Sequence, residues 1–465
     1  MADDQKMRGI LCVIGGCIIH LYLGCFYLWG HIQVYITSYL HKHDHSVTLD
    51  DTSTIFVLQG VFQAIFMPVA PFMLKHYPVW VLITVGGVFA IGGVFLTSFL
   101  TNVTYFVIVY PLFYGFGIGI TYLAPLVCGW EYFPERRGAV SGVIVGGFGF
   151  GSFIFSYVSL LIVNPEGHQA TQKVSGGMIF HPNDPVSSRA PLMLRVNCLC
   201  WLIILIISLI LIRRKRESQE DRVESSNNGL SSDHLIVSVE ENIEIVEPTY
   251  KEAMLHYRTL YIWVMIVLSV SYPMLMASHF KTYANIDVPD EKFLMITGSF
   301  GAAMNGLSRG IWAYFQDIYG FKAVFLTLII FQILIALTVD FIHKVKVLYF
   351  IWTLVTYFCL GGYFSIFPTV NAKLYGAVTG GKVHGTIFCA FSTSTILNLL
   401  LLRLESSRHL EYAQIFYIQA GFSIIVAIMT ILFDDATLIK KVLRRNKRFN
   451  QEEDSFIELK LENNS

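Results

Sequence analysis

Long apolar runs separated by short polar ones dominate this chain. Runs of about 20 residues, the length a helix needs to cross a bilayer, fall at 9–38, 54–74, 79–99, 105–129, 139–163, 191–213, 259–281, 292–316, 321–341, 346–372, 383–403 and 411–433. They predict twelve transmembrane helices. A polar stretch at 214–257 divides them six and six. It runs from RRKRESQEDR through SSNNGLSSD to the acidic VEENIEIVE, a composition that predicts a solvated, mostly disordered linker. The expected fold class is an all-α membrane protein: an N-terminal six-helix half at 1–213, a cytoplasmic linker at 214–257, a C-terminal six-helix half at 258–435 and a cytoplasmic tail at 436–465.

One stretch departs from plain apolar spans. Gly115 to Gly151 reads GFGIGITYLAPLVCGWEYFPERRGAVSGVIVGGFGFG, two glycine-rich apolar halves around a short polar hinge. Gly138, Gly142 and Gly146 are four apart and share one face of a helix. Such a face lets membrane helices approach until their backbones nearly touch, whereas in water that many helix-interior glycines would be costly. The stretch predicts a tight helix pair and a surface on which helices slide.

Composition agrees with the pattern. Hydrophobic residues make up 54% of the chain and charged residues 14%, well under the roughly 25% of soluble domains. Net charge is zero, which argues against nucleic acid as a partner. The eight cysteines lie in or beside apolar runs, so neither a disulfide framework nor a zinc site is expected. The N-terminus lacks a cleavable signal pattern. With both termini placed in the cytoplasm, inside segments hold 22 of the 33 basic residues and outside segments nine, the bias expected of cytoplasmic loops. Lys344 and Lys346 run against it. Asn102-Val103-Thr104 is a glycosylation sequon on a very short outside loop. His41, His43 and His45 occupy a longer outside loop; a solvated loop explains them better than a metal site. The membrane is not named by any address in the sequence; the plasma membrane is the expectation and an organelle membrane the alternative.

Two six-helix halves joined by a linker resemble the major facilitator superfamily, and the hinge narrows the resemblance. Tyr132-Phe133-Pro134-Glu135-Arg136-Arg137-Gly138, after a Gly-x-Gly-x-Gly run and before a Gly-rich helix, looks like the fourth and fifth helices of the oxalate/formate antiporter-like family, relatives of the monocarboxylate transporters. Gly24 to Trp29, Arg309 with Asp317 to Lys322, and Gly361 to Pro368 resemble that family's first, eighth and tenth helices. There are departures. The loop after the second helix, APFMLKHYP, lacks the superfamily's Asp. Ile318 stands where Arg is usual. Phe391 occupies the place of the oxalate-type helix-eleven Lys, and Asn305 the place of the monocarboxylate transporters' Asp. Their acidic first-helix motif is also missing.

Arg309 is the sharpest chemical signal. An arginine at mid-helix costs about 2.5–3.5 kcal/mol on insertion scales, so it usually faces a cavity or a partner. Gly298, Ala302, Asn305 and Arg309 follow one helical face. A planar fork of donors at the midplane suits a carboxylate; a structural ion pair is the bland alternative. The resemblance implies a place for Tyr27 in the substrate cavity. His20 is the only histidine deep in the first half and a proton-coupling candidate, against a packing role. Phe391 and Thr395 share a face of helix eleven, and Tyr363 and Phe364 follow two glycines; walls of the cavity and ordinary packing are both open for them. Asp317, Arg136 and Arg137 read as gating or surface charges at the cytoplasmic side.

With one fixed cation, a dianion would stay half paired. The expectation is a secondary carrier of a small organic anion, a monocarboxylate first, working by alternating access as proton symport or anion exchange. It would be monomeric and free of cofactors and metals. An amino-acid carrier of the same fold is the alternative, a non-transporting membrane sensor the next. An enzyme is not expected: no metal cluster, nucleophile–base pair or cofactor loop is evident.

Overall fold

The computed structural model describes residues 2–74, 76–133, 137–213, 236–240, 243–284, 287–288, 290–406 and 411–443. The apolar runs fold as helices because a membrane offers no partner to a backbone N–H or C=O, so each must be satisfied within the segment. Among the described residues, eleven helices are long and apolar enough to cross a membrane. One of them, Lys292–Ile342, is double length and is broken at Gly320, whose φ of 78° is open to glycine and strained for other residues. Twelve crossings are consistent with this.

We label them in chain order. α1 is Ala2–Leu23, carried through a 3-10 turn (Gly24–Leu28) into Trp29–His43. α2 is Leu49–Phe66 with Val69–Met73, α3 Val79–Thr97, and α4 Val103–Thr121 with Leu123–Tyr132. α5 is Arg137–Val163 and α6 Val186–Leu211. α7 is Tyr257–Ala284; Glu291–Ile342 supplies α8 before Gly320 and α9 after it. α10 is Lys346–Tyr375, α11 Ala377–Ile387 with Cys389–Ser406, and α12 Tyr412–Leu432. The helix starts carry the expected stops. The Asn102 side chain accepts from Thr104 and Tyr105 N–H at the start of α4, Asp290 caps Phe293, and Thr48 with Asp51 forms a capping box.

The halves meet mainly along two seams, α5 against α8 and α2 against α11, with smaller contacts of α1 with α7 and of α5 with α10. The glycines of 115–151 serve more contacts than the tight pair expected. Gly115 and Gly119 face α2, Gly117 faces α3, and Gly147 and Gly151 face α1. Gly142, Gly146 and Gly149 meet Gly306 and Gly310 of α8, in the other half.

At the face away from the chain ends, residues 164–190 carry a hairpin, β1 (Gln172–Val174) paired with β2 (Gly177–Ile179). Ser175 donates to Asp50, and the Phe180 N–H donates to Ser38 Oγ at 3.0 Å, so the loop lies over the ends of α1 and α2. Arg189 donates to both Glu166 oxygens at 2.7 and 3.0 Å and holds that carboxyl down at about 2.

At the face carrying the chain ends, the described part of the linker, residues 236–240 and 243–257, has secondary structure where disorder was expected. β3 (Ile236–Glu240) and β4 (Ile243–Val246) form a hairpin that β5 of the tail (Lys440–Leu443) extends. Glu247 is buried and accepts the Thr379 N–H at 3.0 Å, capping α11. A short helix, Tyr250–Leu255, follows; the Tyr250 hydroxyl bonds to Thr386 of α11 and its ring lies edge-on to Phe72 of α2. The alternation IVSVE and IEIVE is a strand pattern that the flanking charge obscured. Residues 214–235, 241–242 and 444–465 lie outside the described residues.

Candidate functional site

Arg309 projects from α8 into the contact between the halves and is fully buried. Its side chain is held on two sides. Nε donates to Asn305 Oδ1, one turn back, at 3.2 Å. The guanidinium lies over the Phe364 ring at 4.4 Å and the Phe148 ring at 5.1 Å, cation–π contacts that strengthen when desolvated. Neither terminal nitrogen finds a hydrogen-bond partner, and Asn305 Nδ2 is likewise unpartnered. The hydroxyls of Tyr122 and Tyr27 stand beside the Arg309 guanidinium and the Asn305 amide, close to hydrogen-bonding geometry without reaching it. Among the described residues no carboxylate pairs with Arg309. Buried donors are nearly always satisfied, so this cluster of unmet N–H groups marks Arg309 and Asn305 as the candidate site.

A cavity of about 130 Å³ leads to it, lined by Tyr122, Trp130, Arg309, Asp317, Phe364 and His384 among others. Trp130, Asp317 and Gly381 lie near helix ends at the face carrying the chain ends, so the site opens that way. On its other side, Tyr27, Phe148, Phe388 and Phe391 close around a void of about 20 Å³, with Phe364 stacked on Phe391 at 4.8 Å.

Of the residues singled out in the sequence, Asn305, Phe364 and Tyr27 surround the guanidinium, and Phe391 and Thr395 line the adjoining void. Tyr363 is not brought to the site. It is fully buried within the C-terminal half, donating to Gln332 Oε1 at 2.6 Å; successive helical residues point about 100° apart, and Phe364 is the one that faces Arg309. His20 is buried on α1, its Nδ1–H donating to Gly16 O at 2.7 Å and its Nε2 unpartnered. Its ring lies edge-on to Tyr122 at 5.1 Å. Asp317 sits at the cavity mouth, 3.9 Å from Lys373 and beside Gly138 in the first turn of α5, where a helix favours negative charge. Arg136 lies outside the described residues, and Arg137 is described only as the first residue of α5.

Phe388 shares the helix-eleven face of Phe391 and Thr395 read from the sequence, whereas Tyr122 and Phe148 line the candidate site without having been marked by it. Aromatics on apolar helices look alike whether they face a core or a cavity. Tyr122→Phe should leave folding intact and weaken substrate binding about tenfold, the value of one hydrogen bond to a charged group; the KM for uptake checks it, and an unchanged KM removes Tyr122 from the site.

A sequence model described as the Major Facilitator Superfamily matches residues 14–288. The apicoplast pyruvate carrier 1 of Toxoplasma gondii is 25% identical over 451 residues, covering 83% of this chain and 82% of its own length. The oxalate:formate antiporter of Oxalobacter formigenes is 21% identical, with 76% of each chain covered. Among solved structures, the nucleoside transporter NupG superposes with a TM-score of 0.56 at 13% identity, over 90% of this chain and 99% of its own. That likeness speaks to the fold alone.

Proposed function

Because the chain belongs to the Major Facilitator Superfamily and is a multi-pass membrane protein, we propose that it is a secondary carrier moving a small monocarboxylate by alternating access. The observation that carries this reading is the buried Arg309 with both terminal nitrogens unmet at the inner end of a cavity. A carboxylate is planar and offers two oxygens, so it satisfies both nitrogens at once. A second carboxylate on the same substrate would enter an aromatic pocket with no second Lys or Arg among the described residues that line it, and a buried unpaired charge costs several kcal/mol. The cavity of about 130 Å³ admits an acid of a few heavy atoms. The carriers of pyruvate and of oxalate and formate among the relatives agree with a small organic anion. Relatives of this kind are transporters, not enzymes.

In this reading residues 1–213 and 258–435 are the two rocking halves, and both termini, the linker and the tail face the cytoplasm. The cavity at Arg309 then opens inward. Uptake of labelled formate, lactate, pyruvate, oxalate and neutral amino acids into proteoliposomes, with and without a pH gradient, tests it. Monocarboxylates should be carried and oxalate excluded. Uptake of neutral amino acids alone would replace this reading with a zwitterion carrier.

Proton coupling rests on His20. Its Nδ1–H is committed to Gly16 O, so Nε2, which lies beside the Tyr122 backbone without a full hydrogen bond to it, carries the lone pair. A proton taken there adds a positive charge near Arg309, and Coulomb repulsion between them falls when the substrate anion sits between. Proton and anion therefore favour each other's binding. His20→Asn should abolish accumulation driven by a pH gradient while sparing exchange of labelled for unlabelled substrate. An intact pH dependence would remove His20 from coupling.

A further inference from the structure

The site has a second, longer approach. At the face away from the chain ends a vestibule of about 720 Å³ opens, bounded by the ends of α2, α4, α7 and α11, with Asp50, Asp51 and Arg403 on its walls. Two small voids separate it from the Arg309 cavity. The first, about 10 Å³, shares Ser53 and His279 with the vestibule. The second, about 20 Å³, shares Tyr122 and Phe364 with the Arg309 cavity. The two voids share Met274 and Thr395. The four spaces form one string, and each of the three beyond Arg309 has walls from α2, α7 and α11.

The two seams between the halves are closed in different ways. Along α5 and α8 the backbones themselves touch: Gly142 lies against Gly310, and Gly149 against Gly306. Further along, Ser156 and Ser299 share a buried hydrogen bond of 2.8 Å. Glycine backbones in contact leave little to withdraw. Along α2 and α11 the closure is made by side chains. Ser392 donates to Gly60 O at 2.6 Å, and Met274 and Thr395 fill the narrow part. A closure made by side chains yields more readily than one made by backbone contact, and Met is the most adaptable of apolar side chains.

We propose that substrate passes between Arg309 and the face away from the chain ends along the α2–α7–α11 seam, with Met274 and Thr395 as the barrier, while the α5–α8 seam stays shut and acts as the hinge. This rests on the carrier reading, since the site must face both sides in turn. It adds a route, a barrier and two residues that limit the size of what passes.

Cysteine accessibility tests it without relying on transport. Thr395→Cys and Ser156→Cys each place a thiol in one seam, both positions being buried, at 4% and 3% exposure. Thr395 lies deeper from its helix end at Ser406 than Ser156 does from its end at Val163. A membrane-impermeant methanethiosulfonate is added at the face away from the chain ends of the full-length protein, the wild-type chain giving the background of its eight native cysteines. Thr395→Cys should react about tenfold faster than Ser156→Cys despite its greater depth. Equal or faster reaction at Ser156→Cys overturns the proposal, as does reaction of Thr395→Cys at background rate. Met274→Cys takes its place where Thr395→Cys does not reach the membrane, with the same outcomes. Added pyruvate should slow the labelling. Fast labelling that pyruvate leaves unchanged upholds the route while removing the monocarboxylate reading, so the two fail separately.

Discussion

Arg309→Ala is expected to abolish uptake of monocarboxylates while the protein still reaches the membrane and keeps its fold. The guanidinium is fully buried and makes one well-formed hydrogen bond, from Nε to Asn305; among the described residues its two terminal nitrogens have only the nearby Tyr122 hydroxyl and no full hydrogen-bond partner. Truncating one member of a buried, hydrogen-bonded charge pair costs about 2–5 kcal/mol, or roughly 30- to 5,000-fold in affinity. Here the pair exists only with substrate bound, so that cost falls on binding. Stability gives the complementary signature. An arginine whose terminal N–H groups are unsatisfied does not support the empty fold, and sites of this kind trade stability for function. The melting temperature of the empty protein should therefore not fall in Arg309→Ala, and the rise on adding substrate should vanish. Arg309→Lys keeps the charge but loses the planar fork, the contact with Phe364 at 4.4 Å and the bond to Asn305; at least a tenfold loss of uptake is expected there too. Uptake by Arg309→Ala at the wild-type rate would end the assignment. A lowered melting temperature with retained substrate response would make Arg309 a structural residue.

How far the sequence carried is clearest from single residues. Hydropathy sufficed for the crossings, because lipid admits only helices whose length matches the bilayer. Arg309 was legible because charge in an apolar run is rare, and Asn305 because it lies one turn away on the same face. Beyond those two, type and spacing lose their power. Tyr363 and Phe364 are adjacent, both aromatic and both after glycine, yet only one meets the guanidinium; the rotation of α10 decides it, and packing sets that rotation. Tyr122 and Phe148 fall inside the stretch read for its glycines and its hinge, where nothing in their residue type separated cavity from core. The linker strands were hidden by charge. Their alternation is ordinary and β3 pairs with its neighbour β4, but the second partner of β4 is in the tail, where Ile243 pairs with Leu443, and composition carries no information about such a pairing.

The same contrast governs the helix crossing beside the site, where spacing and contact disagree. Gly138, Gly142 and Gly146 form the i, i+4 comb, but the tightest approach to α8 is at Gly149. A Cβ there would overlap the backbone of Gly306 and press on Asn305. At Gly142 it would come within 3.3 Å of Gly310 Cα, and at Gly146 within 3.7 Å of Gly306 O, an ordinary contact. Overpacking of a close contact costs about 1–3 kcal/mol, and here two backbones, not side chains, must yield. Because Gly149 abuts the residue that holds Arg309, a displaced α8 carries the site with it, and a misplacement of about 1 Å is enough to lose most of a positioned interaction. Gly149→Ala is therefore expected to lower uptake tenfold or more at unchanged surface abundance, Gly142→Ala by a smaller factor, and Gly146→Ala hardly at all. Uptake kinetics of the three alanine variants, normalised to protein in the membrane, measure the gradient. If Gly146→Ala were the damaging one, the comb read from spacing would describe the working contact, and the hinge at Gly149 would be wrong. If all three kept wild-type rates, the close approach of α5 and α8 would not be needed for transport, and the α5–α8 seam would lose its standing as the hinge.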